Sequence, residues 1–241
     1  MMDESLELKS FLKNQPVPRC TSLGLAFLLT LGGVSSGAAQ DEGTTLDLSL
    51  CSPSAGGFTL ESTNPYFPMA VGSEWVLEGG DERVVITVLD ETETVAGVTT
   101  RVIEEREFED GEIVEVSRNF FAQASDGTVC YFGEDVDNYE DGEVVSHESE
   151  WRADAPESRP GIIMPADPQP GMRFQMEVGP GAVDEGEVVE LGESVEVPAG
   201  TFTETMRLLE SNPLEDEEEY KVYAKGVGIL VDEDLELVSQ R

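Results

Sequence analysis

Residues 118–134 read RNFFAQASDGTVCYFGE, and this stretch decides the fold. Asp126-Gly127 is a hairpin turn signal, because a two-residue type I′ turn needs a positive φ at both central positions. A two-residue turn there pairs Phe121 with Phe132 across the two strands. The neighbouring positions are also largely apolar, so both faces of the hairpin suit burial, as in central strands covered on two sides. We therefore predict that this hairpin lies in the core of the domain.

A second hairpin is predicted around Glu109-Asp110-Gly111. A three-residue loop with its glycine in the left-handed conformation pairs Phe108 with Glu112. A two-residue Asp-Gly loop would instead set the carboxylates of Glu105 and Glu107 against valines. Because a slip of one residue inverts the faces of a strand, the hydrophobic pattern favours the three-residue loop.

Short runs rich in valine, isoleucine and aromatic residues recur along the chain between turn signals such as Ala96-Gly97. Residues 154–171 interrupt this pattern with five prolines, which remove ladder donors, and are predicted to cross between strands as a loop. Many strands joined by tight turns, without an amphipathic helix, indicate an all-β fold. We predict a single all-β domain over residues 65–241, an antiparallel meander of about ten strands forming a barrel, a half-barrel or a strongly curved sheet.

The first 39 residues have the order of a secretory signal peptide. Three basic residues precede an apolar run from Leu23 to Val34, and small residues follow up to Ala39. The apolar run of about a dozen residues is short for a membrane helix, which needs about 20. We therefore predict that residues 1–39 are cleaved, that residues 40–64 form a flexible lead, and that the protein is secreted or periplasmic rather than integral to a membrane.

The charge of the chain is strongly one-sided. Its 241 residues include 51 acidic and 14 basic ones, which gives a net charge of -37. Such a surface repels nucleic acid and anionic membranes, because it lacks a patch that could neutralise phosphates. The composition therefore argues against a nucleic-acid partner, and it suits either a solvated acidic coat in a saline medium or loose binding of cations.

Three cysteines occur in the chain, and Cys20 belongs to the predicted signal peptide. Cys51 and Cys130 remain, an even number in an oxidising compartment, so a disulfide is one interpretation. Against it, Cys51 lies in the Gly/Ser/Pro-rich lead, far in sequence from the predicted core hairpin. The sequence leaves both alternatives open.

Few residues indicate catalytic chemistry. His147 is the only histidine, which excludes a two-histidine metal site, and it lies in a polar stretch typical of a solvated surface. The chain has no Gly-x-Ser-x-Gly elbow, phosphate-binding loop, His-Glu-x-x-His or Cys-x-x-Cys motif. We therefore predict no catalytic residues and no cofactor-binding residues.

The best candidate for a site is the acidic segment 134–141, EDVDNYED. Calcium takes six to eight oxygen ligands, and clustered carboxylates on a loop supply several of them. An acidic strand end in solvent is the competing interpretation, and calcium is the one cofactor that the sequence suggests. The predicted metal ligands are Glu134, Asp135, Asp137, Asn138, Glu140 and Asp141.

Two C-terminal stretches carry a resemblance to a known family. Residues 194–202, SVEVPAGTF, and residues 223–230, YAKGVGIL, resemble the C-terminal half of TapB-like secreted bacterial proteins. These proteins are uncharacterised, and their sheets are similar to open lipoprotein-carrier barrels. The resemblance rests on turn and strand residues over about a third of the predicted mature chain. It implies an exported β-sheet protein and transfers no functional residue.

The functional prediction follows from the fold class. Curved sheets of this size can enclose a cavity, as lipocalin-like barrels do around one small ligand. We predict an exported non-catalytic binding protein that holds an apolar ligand on the concave face of the sheet or contacts an envelope protein. The first alternative is an acidic envelope protein with weak calcium binding, and the second is an enzyme with carboxylate-based chemistry.

Overall fold

The computed structural model describes residues 43–214 and 217–241. The predicted signal peptide, residues 1–39, lies outside the described residues. Within them the chain is built from sixteen strands and two 3-10 helices, Leu48–Cys51 and Pro53–Ala55. No helix among the described residues has the length and apolar character needed to cross a membrane.

The first eight strands are β1 (Glu74–Gly79), β2 (Glu82–Val95), β3 (Val98–Glu109), β4 (Glu112–Gln123), β5 (Val129–Glu140), β6 (Glu143–Ser146), β7 (Trp151–Arg152) and β8 (Gly161–Met164). The other eight are β9 (Arg173–Gln175), β10 (Glu185–Leu191), β11 (Val195–Val197), β12 (Gly200–Phe202), β13 (Thr205–Asn212), β14 (Glu217–Ala224), β15 (Gly228–Asp232) and β16 (Leu235–Gln240).

Fourteen of these strands form one antiparallel sheet in the order β6-β5-β4-β3-β2-β1-β16-β15-β14-β13-β10-β9. β7 and β8 pair with β5 off this path, and β11 with β12 forms a separate hairpin. The predicted all-β antiparallel meander is confirmed. β6 and β9 stand at the two ends of the order, so within the described part of the chain the ladder does not close into a barrel.

The predicted loop lengths of two hairpins are exchanged in the structure. At the β3–β4 turn, Asp110 and Gly111 have φ values of 51° and 83°, and Glu109 pairs with Glu112. This is the two-residue loop that the sequence argument rejected. The two-residue loop has a local cause, because a type I′ turn requires a positive φ at both central positions and Asp110-Gly111 meets this requirement.

The β4–β5 turn is instead a three-residue loop. Ala124 donates its N–H to Thr128 O at 2.8 Å, and in this loop only Gly127 has a positive φ. The side chain of Asp126 accepts the Thr128 N–H at 2.9 Å, which favours the longer loop. Phe121 therefore pairs with Tyr131 rather than with Phe132, one residue away from the predicted register.

The prediction that this hairpin is buried on both faces is confirmed. Phe120, Phe121 and Phe132 are 2%, 5% and 0% exposed. A bulge at Gly133 shifts the pairing by one residue and so restores the predicted register farther from the turn. A side chain at position 133 would clash with the backbone of Trp151.

The segment predicted as a flexible lead, residues 40–64, packs against the sheet from Gly43 onward. Cys51 forms a disulfide with Cys130, with 5.5 Å between the Cα atoms. The ring of Phe58 meets the ring of Phe132 edge-on at 5.5 Å. The Oε1 atom of Gln123 accepts the backbone N–H groups of Thr63 and Asn64, at 2.6 and 3.1 Å. The Gly/Ser/Thr composition gave no sign of these contacts, all of which are made to the central hairpin.

The proline-rich crossing, residues 154–171, contains a short strand that the sequence argument did not predict. Residues Gly161–Met164 form β8, which pairs with β5. Ile162 and Met164 are both fully buried. The prolines lie outside these four residues, so they do not remove donors from the ladder.

Candidate functional site

A cavity of about 200 Å³ lies on the inner face of the large sheet. Tyr131 on β5 and Tyr223 on β14 both line it, although six strands separate β5 from β14 in the sheet order. Side chains so far apart in the sheet can share one cavity only if the sheet curls around it. The strongly curved sheet predicted from the sequence is therefore present, and its inner face is the candidate site.

We call this space the apolar cavity. Aromatic and aliphatic side chains form most of its wall: Tyr66, Phe67, Pro68, Trp75, Ile86, Ile103, Phe121, Tyr131, Ile163, Met176, Tyr223 and Ile229. Two hydrogen bonds orient the aromatic groups. Trp75 Nε1 donates to Val227 O at 2.7 Å, and Tyr131 Oη donates to Asn119 Oδ1 at 2.6 Å. Gly228, with φ at 99°, gives the Trp75 indole room, since a side chain there would lie 3.2 Å from Nε1.

A second cavity of about 630 Å³ adjoins the first, and we call it the acidic cavity. Glu105, Lys221 and Asp232 line both cavities. The acidic cavity extends to the β1–β2 turn at Gly80-Asp81 and the β15–β16 turn at Glu233-Asp234. The inner face of the sheet therefore changes from aromatic to acidic along its length.

Lys221 lies at the junction of the two cavities. Its Nζ atom is 3.3 Å from Glu210 Oε2, 3.4 Å from Glu219 Oε1 and 3.3 Å from Asp232 Oδ1. Burial alone would lower the pKa of Lys221, but the neighbouring carboxylates Glu210 and Asp232 outweigh it and hold the pKa well above its usual range. Lys221 is therefore a fixed cation whose charge is already compensated.

Two carboxyl groups of β3 face the same interior. Burial raises the pKa of Glu105 to about 8, and repulsion from Asp232 and Glu107 adds to the shift. Burial also raises the pKa of Glu107 to about 7, with repulsion from Glu115. These shifts mean that the carboxylate forms lack enough positive partners inside the sheet.

Glu177 lines the apolar cavity, and Glu134 is a neighbouring carboxyl that repels it. Burial raises the pKa of Glu177 to about 9, and repulsion from Glu134 is the second cause. The pKa of Glu134 rises to about 7 because of burial, although a hydrogen bond with Tyr131 opposes the shift. Near neutral pH these two carboxyls are therefore partly or mainly protonated.

Glu210 contributes a buried acceptor that is ion-paired with Lys221 but receives no well-aligned hydrogen bond. Its Oε2 atom is buried and accepts no hydrogen bond from the described residues, although Lys221 Nζ lies 3.3 Å away. A buried acceptor without a well-aligned donor is costly, and most such groups in folded proteins find a partner.

The predicted calcium ligands do not converge. They lie along strand β5 and its turn, where successive side chains point to opposite faces, and not on a loop. Glu134 faces Tyr131 in the interior, whereas Asp135 lies on the outer face and accepts from Arg152 Nε at 2.8 Å. Residues 134–140 form a paired strand rather than a loop, because hairpin pairing with β4 and β6 extends the segment.

The remaining predicted ligands are spread along the end of the hairpin. Asp137 Oδ1 is 3.1 Å from His147 Nδ1, and Asn138 Nδ2 donates to Glu148 O at 3.2 Å. Glu140 and Asp141 are exposed at the β5–β6 turn. Within residues 43–214 and 217–241, no group of three or more His, Cys, Asp or Glu side chains is placed to hold a metal ion.

The interior carboxyls are not predicted by the hydrophobic pattern. That pattern disfavours a register that buries Glu105 and Glu107, whereas in the structure both face the cavity side of β3. One signal for them was present. Lys221 is one of only two lysines after residue 39, and it lies in a predicted strand among acidic residues. A lone lysine in such a strand indicates a buried charge that needs carboxylate partners.

Comparison with known proteins gives no match: no family model, no curated protein and no solved structure is similar to the chain.

Proposed function

We propose that this protein is an exported, non-catalytic binding protein that holds a small ligand with an apolar body inside the curled sheet. The observation that carries the proposal is the apolar cavity, whose wall brings six aromatic side chains from distant parts of the chain together. Ligand sites are typically concave, mainly apolar and aromatic, with a few polar groups that orient the ligand. The shared lining residues Glu105, Lys221 and Asp232 are such polar groups.

The size of the apolar cavity limits the ligand. An apolar cavity of about 150 Å³ is enough for benzene. A space of about 200 Å³ therefore suits one aromatic ring or a short aliphatic chain, and the adjoining acidic cavity of about 630 Å³ leaves room for a polar head.

Two features support export to a secreted or periplasmic location. The Cys51–Cys130 disulfide is typical of proteins that fold in an oxidising compartment. The order of charged, apolar and small residues up to Ala39 is typical of a signal peptide. Intact-mass measurement of the protein from its native host should show a chain that begins near Gln40. A chain that retains residues 1–39 would refute export.

Native mass spectrometry and calorimetry with small aromatic compounds test the binding function. Ile103→Phe places a ring in the apolar cavity and should weaken binding at least about ten-fold. Ile113→Phe is the matched control, because Ile113 pairs with Phe108 near the β3–β4 turn and does not line the apolar cavity. Equal binding by both variants, or no binding by the unchanged protein, would refute the proposal.

An enzyme with carboxylate-based chemistry is the second candidate, and one observation favours it. Carboxyl groups whose pKa is raised by burial, such as Glu105 and Glu177, are suited to act as general acids near neutral pH. Aryl glycosides, which join a ring to a bond cleaved by paired carboxyls, are the appropriate probes. Turnover that is lost in Glu105→Gln or Glu177→Gln would replace the binding proposal with this one.

A further inference from the structure

We propose that the ligand of the apolar cavity carries a positive charge, as an ammonium or quaternary ammonium group on an apolar body, with the cation seated near Glu105, where the apolar and acidic cavities meet. The inference rests on the proposed binding function and deepens it by naming the class of ligand. It follows from the charges of the lining residues, from one oxygen without a well-aligned hydrogen-bond donor and from the aromatic wall.

The charge of the lining is the first step. Four carboxyls line the apolar cavity and nine line the acidic cavity, with Glu105 and Asp232 common to both. Among the described residues that line them, the bases are Lys221 and Arg83. Arg83 Nε already lies 3.4 Å from Glu78, and Lys221 lies within 3.4 Å of three carboxylates. Both bases therefore already have carboxylate partners, and carboxyls far outnumber bases in the lining.

The placement of the charge is the second step. Glu105 and Asp232 lie where the two cavities meet, so a head group there keeps its apolar body against the aromatic wall. Glu210 Oε2 borders the same cavity. It is ion-paired with Lys221 Nζ at 3.3 Å but receives no well-aligned hydrogen bond from the described residues. An ammonium group supplies the missing donors, since hydrogen bonds between charged partners are stronger than neutral ones.

The aromatic wall is the third step. Trp75, Tyr131 and Tyr223 line the cavity together with the carboxyls. Aromatic faces attract cations through their quadrupole, and such rings recognise quaternary ammonium ligands. A carboxylate ligand would meet both the ring faces and the acidic side chains unfavourably.

The protonation of the lining carboxyls agrees with a cationic ligand. Burial raises the pKa of Glu105 to about 8 and that of Glu177 to about 9. A bound cation stabilises the carboxylate form, so binding should release protons near neutral pH.

A matched ligand series separates this inference from the binding function itself. The probes are 3-phenylpropylamine, 3-phenylpropanol and 3-phenylpropanoate, which share one apolar body and differ in the charge of the head. Calorimetry with the full chain at pH 7 and constant ionic strength should rank the amine at least about ten-fold tighter than the alcohol, and the carboxylate weakest. Glu105→Gln should reduce the preference for the amine about ten-fold while leaving the alcohol bound.

Glu196→Gln removes the same charge from an exposed strand of the small hairpin and should leave the ranking unchanged. Glu177→Gln provides a second cavity variant if Glu105→Gln does not fold. If the alcohol binds as tightly as the amine, the inference fails and the binding function stands. If both cavity variants and Glu196→Gln retain the full preference, the overall charge of the chain is the cause and the inference fails. If no probe binds, the proposed function fails with it.

Discussion

Replacing Glu105 with glutamine should change how the stability of the protein depends on pH. Burial raises the pKa of Glu105 from an ordinary 4.5 to about 8. Between these two values the folded state holds a proton that the unfolded state has lost. The free energy of unfolding therefore falls as the pH rises through this window, and the full penalty is present above about pH 8. Glutamine does not titrate, so the free energy of unfolding of the variant lacks this fall with pH.

The upper limit of the effect follows from the size of the shift. One pKa unit corresponds to about 1.4 kcal/mol, so the change from 4.5 to about 8 gives at most about 5 kcal/mol. Glu105 borders a cavity and is repelled by Asp232 and Glu107, whose own protonation relieves part of the penalty. We expect a gain of about 2 kcal/mol for the variant at pH 9 relative to pH 5.

Thermal unfolding at a series of pH values measures this gain. For a domain of this size, about 2 kcal/mol corresponds to a rise in Tm of about 4–8 °C. Glu105→Gln should therefore melt above the unchanged protein at pH 9 and close to it at pH 5. Glu196→Gln removes an equal charge from an exposed position, so its Tm should change with pH in parallel with the Tm of the unchanged protein. A constant offset for Glu105→Gln at all pH values would refute the assignment of Glu105 to the interior.

Three further predictions concern the fold and its charge. Phe132→Ala should lower the free energy of unfolding by about 3–5 kcal/mol in denaturant titrations, because this ring is fully buried against Phe58, and a loss below about 1 kcal/mol would contradict its core position. Reducing the disulfide between Cys51 and Cys130, which are 79 residues apart, should cost about 4.5 kcal/mol in the same assay, and an unchanged midpoint would contradict the pairing. Sodium chloride should raise the Tm by screening the charge of -37, while calcium at equal ionic strength should add little, and a saturable calcium shift would revive the predicted site on β5.

The sequence predicts the all-β meander because turn signals and strand composition are local properties. The loop lengths are not fixed by Asp-Gly alone, since this dipeptide occurs in both the β3–β4 and the β4–β5 turns. At the β4–β5 turn, the Asp126 carboxylate accepts hydrogen bonds from the N–H and the hydroxyl of Thr128, and these bonds accompany the three-residue loop. At the β3–β4 turn, Asp110 instead takes the positive φ of a two-residue loop.

Local sequence patterns do not predict contacts between distant parts of the chain, such as the disulfide and the cavity. The partner of Cys51 depends on how the lead returns to β5, and no spacing rule gives a pairing across 79 residues. The cavity depends on the curl of the whole sheet. Alternation correctly places Glu105 and Val102 on opposite faces of β3. That the face carrying Glu105 is also enclosed follows only from the curvature of the whole sheet.

The position of the carboxyls separates two explanations of the acidity. A solvated coat accounts for exposed groups such as Glu140, but it does not account for Glu105 and Glu210 on the inner face. Ile86 and Ile103 line the same cavity, so apolar residues fit there and would avoid the desolvation of a buried carboxyl. Proteins commonly accept such local instability at functional sites. The interior position of these carboxyls therefore supports the proposed cationic ligand, whereas solubility does not account for it.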